Sequence, residues 1–185
     1  RLARTDMDSF VWDRAMGSAG FLVSAMDIML KDAQEKIKDV DELNEKTKHI
    51  KEHQLLGVEI LGNIYILAVL NMILMGDGSS NIFKGDGHDF DEATGNFPAT
   101  VFLLNPPYSA PGKGFNFVEE ALAHMTKGYA CVLIQENAGS GNGLPYTKNI
   151  LKKNTLRASI HMADIFRGKS GVQTAIYVFQ VARPH

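Results

Sequence analysis

Short apolar runs alternate with longer, helix-compatible stretches along the whole chain. Ser9 to Trp12 reads as a first strand, followed by a glycine-rich turn and an apolar helix from Phe21 to Leu30. Leu55 to Ile60 reads as a second strand and Asn63 to Met75 as a nearly all-apolar helix. A turn at Gly76-Asp77-Gly78-Ser79-Ser80 leads to a third strand at Asn81 to Lys84. Thr100 to Leu104 is a fourth, Asn116 to Met125 a helix, and Tyr129 to Gln135 a fifth strand. Lys148 to Lys153 suggests a short helix, with final strands at Leu156 to Met162 and Thr174 to Val181. Strands alternating with helices predict an open α/β sheet, seven-stranded and mostly parallel, flanked by helices.

One stretch departs from the alternation. Lys31 to His53 carries seven acids and six lysines with no glycine or proline, and reads as solvated helix with a break near Val40-Asp41. Residues 31–54 are therefore expected as a charged helical insertion. A membrane span is the competing reading of Leu55 to Met75, whose length is about right. Glu59, Asn63 and Asn71 interrupt that run and Gly57 and Gly62 punctuate it, and an apolar helix covering a parallel sheet has the same appearance.

The 185 residues, 45% of them apolar, suit one domain over 1–185. Nineteen basic and 21 acidic residues give a formal charge of -2, so no global charge signature marks a nucleic-acid or membrane binder. Any nucleic-acid contact has to be local or shared. The single cysteine, Cys131, excludes an internal disulfide and suits a reducing cytoplasm. The chain opens on Arg1-Leu2-Ala3-Arg4-Thr5-Asp6, without the apolar run of a signal peptide and almost directly on a core strand, which leads us to expect a fragment.

Candidate chemistry collects where strands end. The fourth strand runs into Asn105-Pro106-Pro107-Tyr108. Two prolines lock φ and donate no hydrogen bonds, so the turn is rigid and can aim its neighbours. The Asn105 amide oxygen and a freed backbone carbonyl can converge on one amino group, and Tyr108 offers a flat face for a planar partner. Asn-Pro is also ordinary turn chemistry after a strand, so context decides. Asp13 opens the glycine-rich turn Asp13 to Phe21, whose small residues allow close backbone approach and which also suits tight strand-to-helix packing. Glu59 ends the second strand, where an acid can accept from ribose hydroxyls, and Asp86 follows the third, where it could accept from an adenine amine. Ala138-Gly139-Ser140-Gly141-Asn142-Gly143 mimics a phosphate cradle, but with Leu144-Pro145 in place of a helix start it reads as a mobile loop. The six histidines show no ligand spacing, and no Ser/His/Asp or Cys/His nucleophile set is visible, so neither a metal nor a covalent intermediate is expected.

Phe10 to Met26, Gly57 to Ile60, Gly76 to Asp86 and Asn105 to Tyr108 resemble successive motifs of the S-adenosylmethionine-dependent adenine-N6 DNA methyltransferases, a class I methyltransferase family with a Rossmann-like sheet whose last strand is antiparallel. The closest likeness is to the modification subunit of type I restriction-modification systems, to which Ala138 to Asn154 and Gly171 to Phe179 also compare. The resemblance implies S-adenosyl-L-methionine as cofactor, with Asp13, Gly17, Ser18 and Gly20 at its methionine end, Glu59 at the ribose and Asp86 at the adenine. Ala15, Phe21 and Ile60 would complete that site. Asn105 and the Pro106 carbonyl would hold the target amine, with Pro107 stiffening the turn and Tyr108 stacking on an adenine flipped out of DNA. It further implies a specificity subunit and a restriction subunit as partners, a prokaryotic cytoplasm, and no membrane. The family usually has Asp-Pro-Ala-Cys-Gly-Ser-Gly-Gly in the first motif; here Arg14, Met16 and Ala19 replace Pro, Cys and Gly, and Leu61 replaces an acid. The family's N-terminal helical region is expected to be missing from this chain. Asn-Pro-Pro-Tyr also occurs in methyltransferases for a protein glutamine or an RNA base, and a degenerate, non-catalytic subunit is a third reading.

Overall fold

The computed structural model describes residues 1–76, 81–162 and 173–184. The turn at 77–80 and the first residues of the stretch beginning at Gly171 lie outside them. Seven strands form one sheet: β1 (Val11–Asp13), β2 (Leu55–Glu59), β3 (Ile82–Lys84), β4 (Val101–Leu104), β5 (Tyr129–Gln135), β6 (Thr155–His161) and β7 (Thr174–Gln180). Their order is β3-β2-β1-β4-β5-β7-β6. β1 to β5 are parallel, while β7 runs antiparallel to both β5 and β6. The expected mixed sheet is thus present, with its antiparallel strand inserted beside β5.

The helices are α1 (Gly20–Lys36), α2 (Val40–His53), α3 (Gly62–Leu74), α4 (Glu92–Gly95), α5 (Phe115–His124) and α6 (Leu144–Lys153). The central strands are buried on both faces, and alternate residues enter different cores. Val11, Leu55 and Val101 join α1, α2 and α3 through Leu22, Met26, Met29, Ile50 and Met72. Their neighbours Trp12, Leu56 and Phe102 join α5 and α6 through Val118, Leu122 and Ile150. On α1 the buried positions Leu22, Ala25, Met26, Met29 and Ala33 fall at helical spacing, which lays one stripe along the sheet.

Two local readings change. The charged stretch at 31–54 does not begin an element of its own: residues 31–36 continue α1, and the break falls at 37–39, where Asp39 caps α2 by accepting from the Glu42 amide. Ile50 of α2 is fully buried, so this helix packs on the sheet layer rather than standing clear of it. The glycine run before Leu144 ends in a 3-10 turn, Gly141–Gly143, that passes directly into α6 with Pro145 in its first turn. Leu144-Pro145 is therefore a helix start: proline's missing N–H falls where a helix has no acceptor for it, and its fixed φ suits the first turn. Helix α3 is 13 residues long and leaves Ile66, Leu70 and Ile73 about half exposed. No helix among the described residues is long and apolar enough to cross a membrane.

Candidate active site

β1, β2, β3 and β4 are parallel neighbours, so their carboxyl ends lie side by side along one edge of the sheet. Asp13 is the last residue of β1, Glu59 the last of β2, Asp86 lies two residues beyond β3, and Asn105 directly follows β4. A cleft of about 760 Å³ opens at this edge. Ala15, Gly17, Glu59, Ile60, Asp86, Asn105, Pro106, Pro107 and Tyr108 line it. Asp13, Ser18, Gly20 and Phe21 do not. Asp13 is buried beneath the floor, and the Ser18 carbonyl instead accepts from Asn71 of α3 at 2.9 Å.

The turn after β1 is shaped by two left-handed residues, Gly17 at φ 54° and Ala19 at φ 66°. A Cβ on Gly17 would meet no atom within 4 Å, so the glycine keeps the cleft floor open. Ala19 carries its Cβ in a conformation that costs an L-residue about 1–2 kcal/mol, and holds it fully buried at the N-terminus of α1. An alanine that stands where the resembled first motif has glycine is thus held in the left-handed conformation.

Glu59 ties two loops together. One carboxylate oxygen accepts from the Gly17 amide at 3.1 Å and the other from the Leu61 amide at 2.8 Å. Asp13 accepts from the Ala15 amide at 3.2 Å. Burial pushes its pKa up to about 7; the Ala15 hydrogen bond opposes the rise and the Glu59 charge adds to it. Asp86 is exposed and folds its own loop by accepting from the His88 amide at 3.0 Å.

The proline turn is braced from behind. Gly114, at φ 98°, sits where a Cβ would come within 2.3 Å of Pro106 Cγ, so the loop closes flat against the proline ring. Pro106 is buried, while Asn105 and Pro107 are exposed. Tyr108 donates its hydroxyl to Asn105 Oδ1 at 3.3 Å, and partial burial raises the pKa of that phenol.

Several cleft residues escaped the sequence reading as site residues: Arg14, Leu61, Ile64, Gly87, His88, Ser109, Ala110 and Phe117. Arg14 and Leu61 had a signal, as departures from the first and second motifs. Ile64 of α3 and Phe117 of α5 had none, because apolar residues on core helices carry no mark of the cleft they border. His88 contacts the Glu120 carboxylate, accepts through Nε2 from Asn116 Nδ2 at 3.1 Å, and packs on the Phe117 ring. No group of His, Cys, Asp and Glu among the described residues has metal-holding geometry.

A mixed sheet of this order, with acids and a proline turn at the carboxyl edge of its parallel half, defines the class I S-adenosylmethionine-dependent methyltransferase fold. Solved structures agree. The type I restriction enzyme EcoKI M protein superposes with a TM-score of 0.80 at 20% identity, over 97% of this chain and 41% of that one. A modification subunit of a putative type I restriction enzyme from Vibrio vulnificus gives 0.77 at 19%, over 97% and 41%. The chain belongs to the N-6 DNA methylase family, whose model matches residues 1–114. It is 31% identical to the type II restriction enzyme and methyltransferase RM.BcgI of Heyndrickxia coagulans, over 95% of this chain and 28% of that protein. The chain thus spans less than half the length of these relatives.

Proposed function

We propose that this chain is the catalytic core of a DNA methyltransferase that moves a methyl group from S-adenosylmethionine to the N6 amino group of adenine, within a restriction-modification system. The observation that carries this reading is the opening of the Asn105 to Tyr108 turn into the same cleft as Gly17, Glu59 and Asp86. Family membership and the fold support it.

The residues fit the cofactor. Gly17 leaves backbone and open space for its methionine end, and Glu59 and Asp86 lie at successive strand ends where ribose hydroxyls and an adenine amine need acceptors. Each Glu59 oxygen keeps a lone pair beyond its amide contact. The acidic floor suits a sulfonium. When bound, S-adenosylmethionine supplies an electrophilic methyl group on that sulfonium.

The chain's own residues then position the acceptor. Asn105 Oδ1 and the Pro106 carbonyl accept from the target amine and orient its lone pair toward the methyl group. An amine entering at Asn105 takes the place of the Tyr108 hydroxyl, freeing the ring to stack on the extruded base. The family's chemistry requires no metal. Sequence recognition is assigned to a separate specificity subunit, with a restriction subunit as a further partner.

The test has two arms. Calorimetric titration of S-adenosylmethionine should give saturable binding that Asp86→Ala weakens. The whole protein should place labelled methyl groups on adenine N6 in DNA, and Asn105→Ala should abolish transfer while leaving cofactor affinity nearly unchanged. Methylation of RNA or of a protein glutamine instead of DNA would overturn the substrate, and equal loss of binding and transfer in Asn105→Ala would overturn that residue's role. Absence of cofactor binding by folded protein would favour a non-catalytic subunit.

A further inference from the structure

The replacement of proline by Arg14 in the first motif has a structural consequence on the far side of the cleft. Arg14 directly follows β1, yet its side chain is almost fully buried and reaches the loop after β3. Its Nε donates to the Gly87 carbonyl at 2.6 Å, one terminal nitrogen to the Asp89 carbonyl at 2.5 Å, and the other to the Thr94 carbonyl at 3.3 Å. The guanidinium lies 3.9 Å from the Phe90 ring centroid and 4.8 Å from that of Trp12. One side chain therefore ties three carbonyls spread over eight residues, from the loop after β3 into the short helix α4.

Backbone packing reinforces the link. A Cβ on Gly87 would fall 2.0 Å from the Arg14 carbonyl oxygen, so the loop rests directly on the Arg14 main chain. No carboxylate among the described residues pairs with the guanidinium at hydrogen-bond distance; Asp86, Asp89, Asp91 and Glu120 act on it only through space. All its directed bonds go to the loop backbone. A planar fork with five donors makes such a pattern; a lysine ammonium, a point donor on a flexible stem, holds only part of it.

Resting on the assignment of this cleft to S-adenosylmethionine, we infer that Arg14 is a positioning residue that pre-organises the loop from Asp86 to Thr94, so that Asp86 and Gly87 stand ready for the cofactor's adenine. Asp86 is exposed and holds its place through the amides of His88 and Asp89, both part of the clamped loop. A loop ordered before binding spares the association the cost of ordering it.

The inference is tested in the chain with Arg14→Lys and Arg14→Met, and with Phe90→Leu, which removes the ring packed on the guanidinium while leaving Arg14 itself and every cleft-lining residue in place. S-adenosylmethionine affinity, measured calorimetrically, should fall about tenfold in Arg14→Met and less in Arg14→Lys and Phe90→Leu, the loss appearing as a less favourable binding entropy. Amide exchange without cofactor should accelerate about tenfold at His88, Asp89, Thr94 and Gly95 while β4 and β5 amides keep their rates, and saturating cofactor should restore protection. A merely structural role predicts faster exchange throughout and unchanged affinity of the folded fraction; either result overturns the inference. If both Arg14 variants fail to fold, Phe90→Leu decides: unchanged affinity and loop exchange sink the proposal. Failure of the wild-type chain to bind S-adenosylmethionine would instead refute the assignment of the cleft.

Discussion

Asp13→Asn should make the protein more stable at pH 8 than the wild type, with the advantage vanishing in acid. Asp13 is buried, and its pKa is raised from 3.8 to about 7, chiefly by desolvation. The folded state therefore binds a proton that the unfolded chain gives up, and stability falls as pH rises from about 4 to about 7. Above pH 7 the cost is fully present. A shift of about three units corresponds to about 4 kcal/mol, of which about 2–3 kcal/mol develops between pH 5 and pH 8. Asparagine keeps a carbonyl oxygen for the Ala15 amide and carries no charge to desolvate. The assay is urea unfolding of both proteins at pH 5, 6, 7 and 8, because the difference between them cancels histidines and surface carboxylates. The wild type should lose about 2–3 kcal/mol relative to Asp13→Asn across this range. A difference independent of pH, or one that grows toward acid, would refute the raised pKa and the burial argument behind it.

The remaining predictions concern the cleft. Gly17→Ala meets no neighbour but keeps φ 54°, so it should cost about 1–2 kcal/mol and lower Tm by a few degrees, while the new Cβ reduces S-adenosylmethionine affinity more than tenfold. Unchanged affinity would place the cofactor elsewhere. Glu59→Gln leaves either the Gly17 or the Leu61 amide facing an NH₂ group, and urea unfolding should register about 1–3 kcal/mol. Equal stability would show that one of those hydrogen bonds is dispensable. Tyr108→Phe retains the ring and should change transfer little, whereas Tyr108→Ala should weaken capture of the target base by about 1–3 kcal/mol, read as a rise in KM for DNA.

How much of this was legible in the chain depended on which residues carry their own geometry. Asp13, Glu59, Asp86 and Asn105 each stand at or just beyond a short apolar run, and parallel strands must line up such ends. The Asn105 turn was legible for the same reason, since prolines specify backbone without help from distant contacts. The positive φ of Ala19 was not legible in alanine itself, which has no preference for that conformation. Boundaries moved where propensity and packing disagreed: the charges from Lys31 to Lys36 look like a new solvated element, but Ala33 sits on the buried stripe of α1 and carries the helix on.

What the chain did not disclose was the wiring between segments. Arg14 looks like a surface charge beside a glycine turn, and nothing local says that its guanidinium meets carbonyls 73, 75 and 80 positions away. Glu59 looks like a ligand acceptor, yet its two oxygens already bridge the turn after β1 to the start of α3. The Glu59 contact joins loops from neighbouring strands, the Arg14 contacts reach past β2 from the end of β1 to the loop after β3, and both make the cleft a single unit rather than four independent strand ends. That coupling carries a prediction of its own. Loosening the turn at Gly17 or the loop at Gly87 should disturb ligand acceptors on adjacent strands, so double variants pairing Glu59→Gln with Arg14→Met should lose more cofactor affinity than the two single losses combined. Strictly additive losses would mean that the two loops hold their ligand groups independently, and the cleft would then be an assembly of separate contacts.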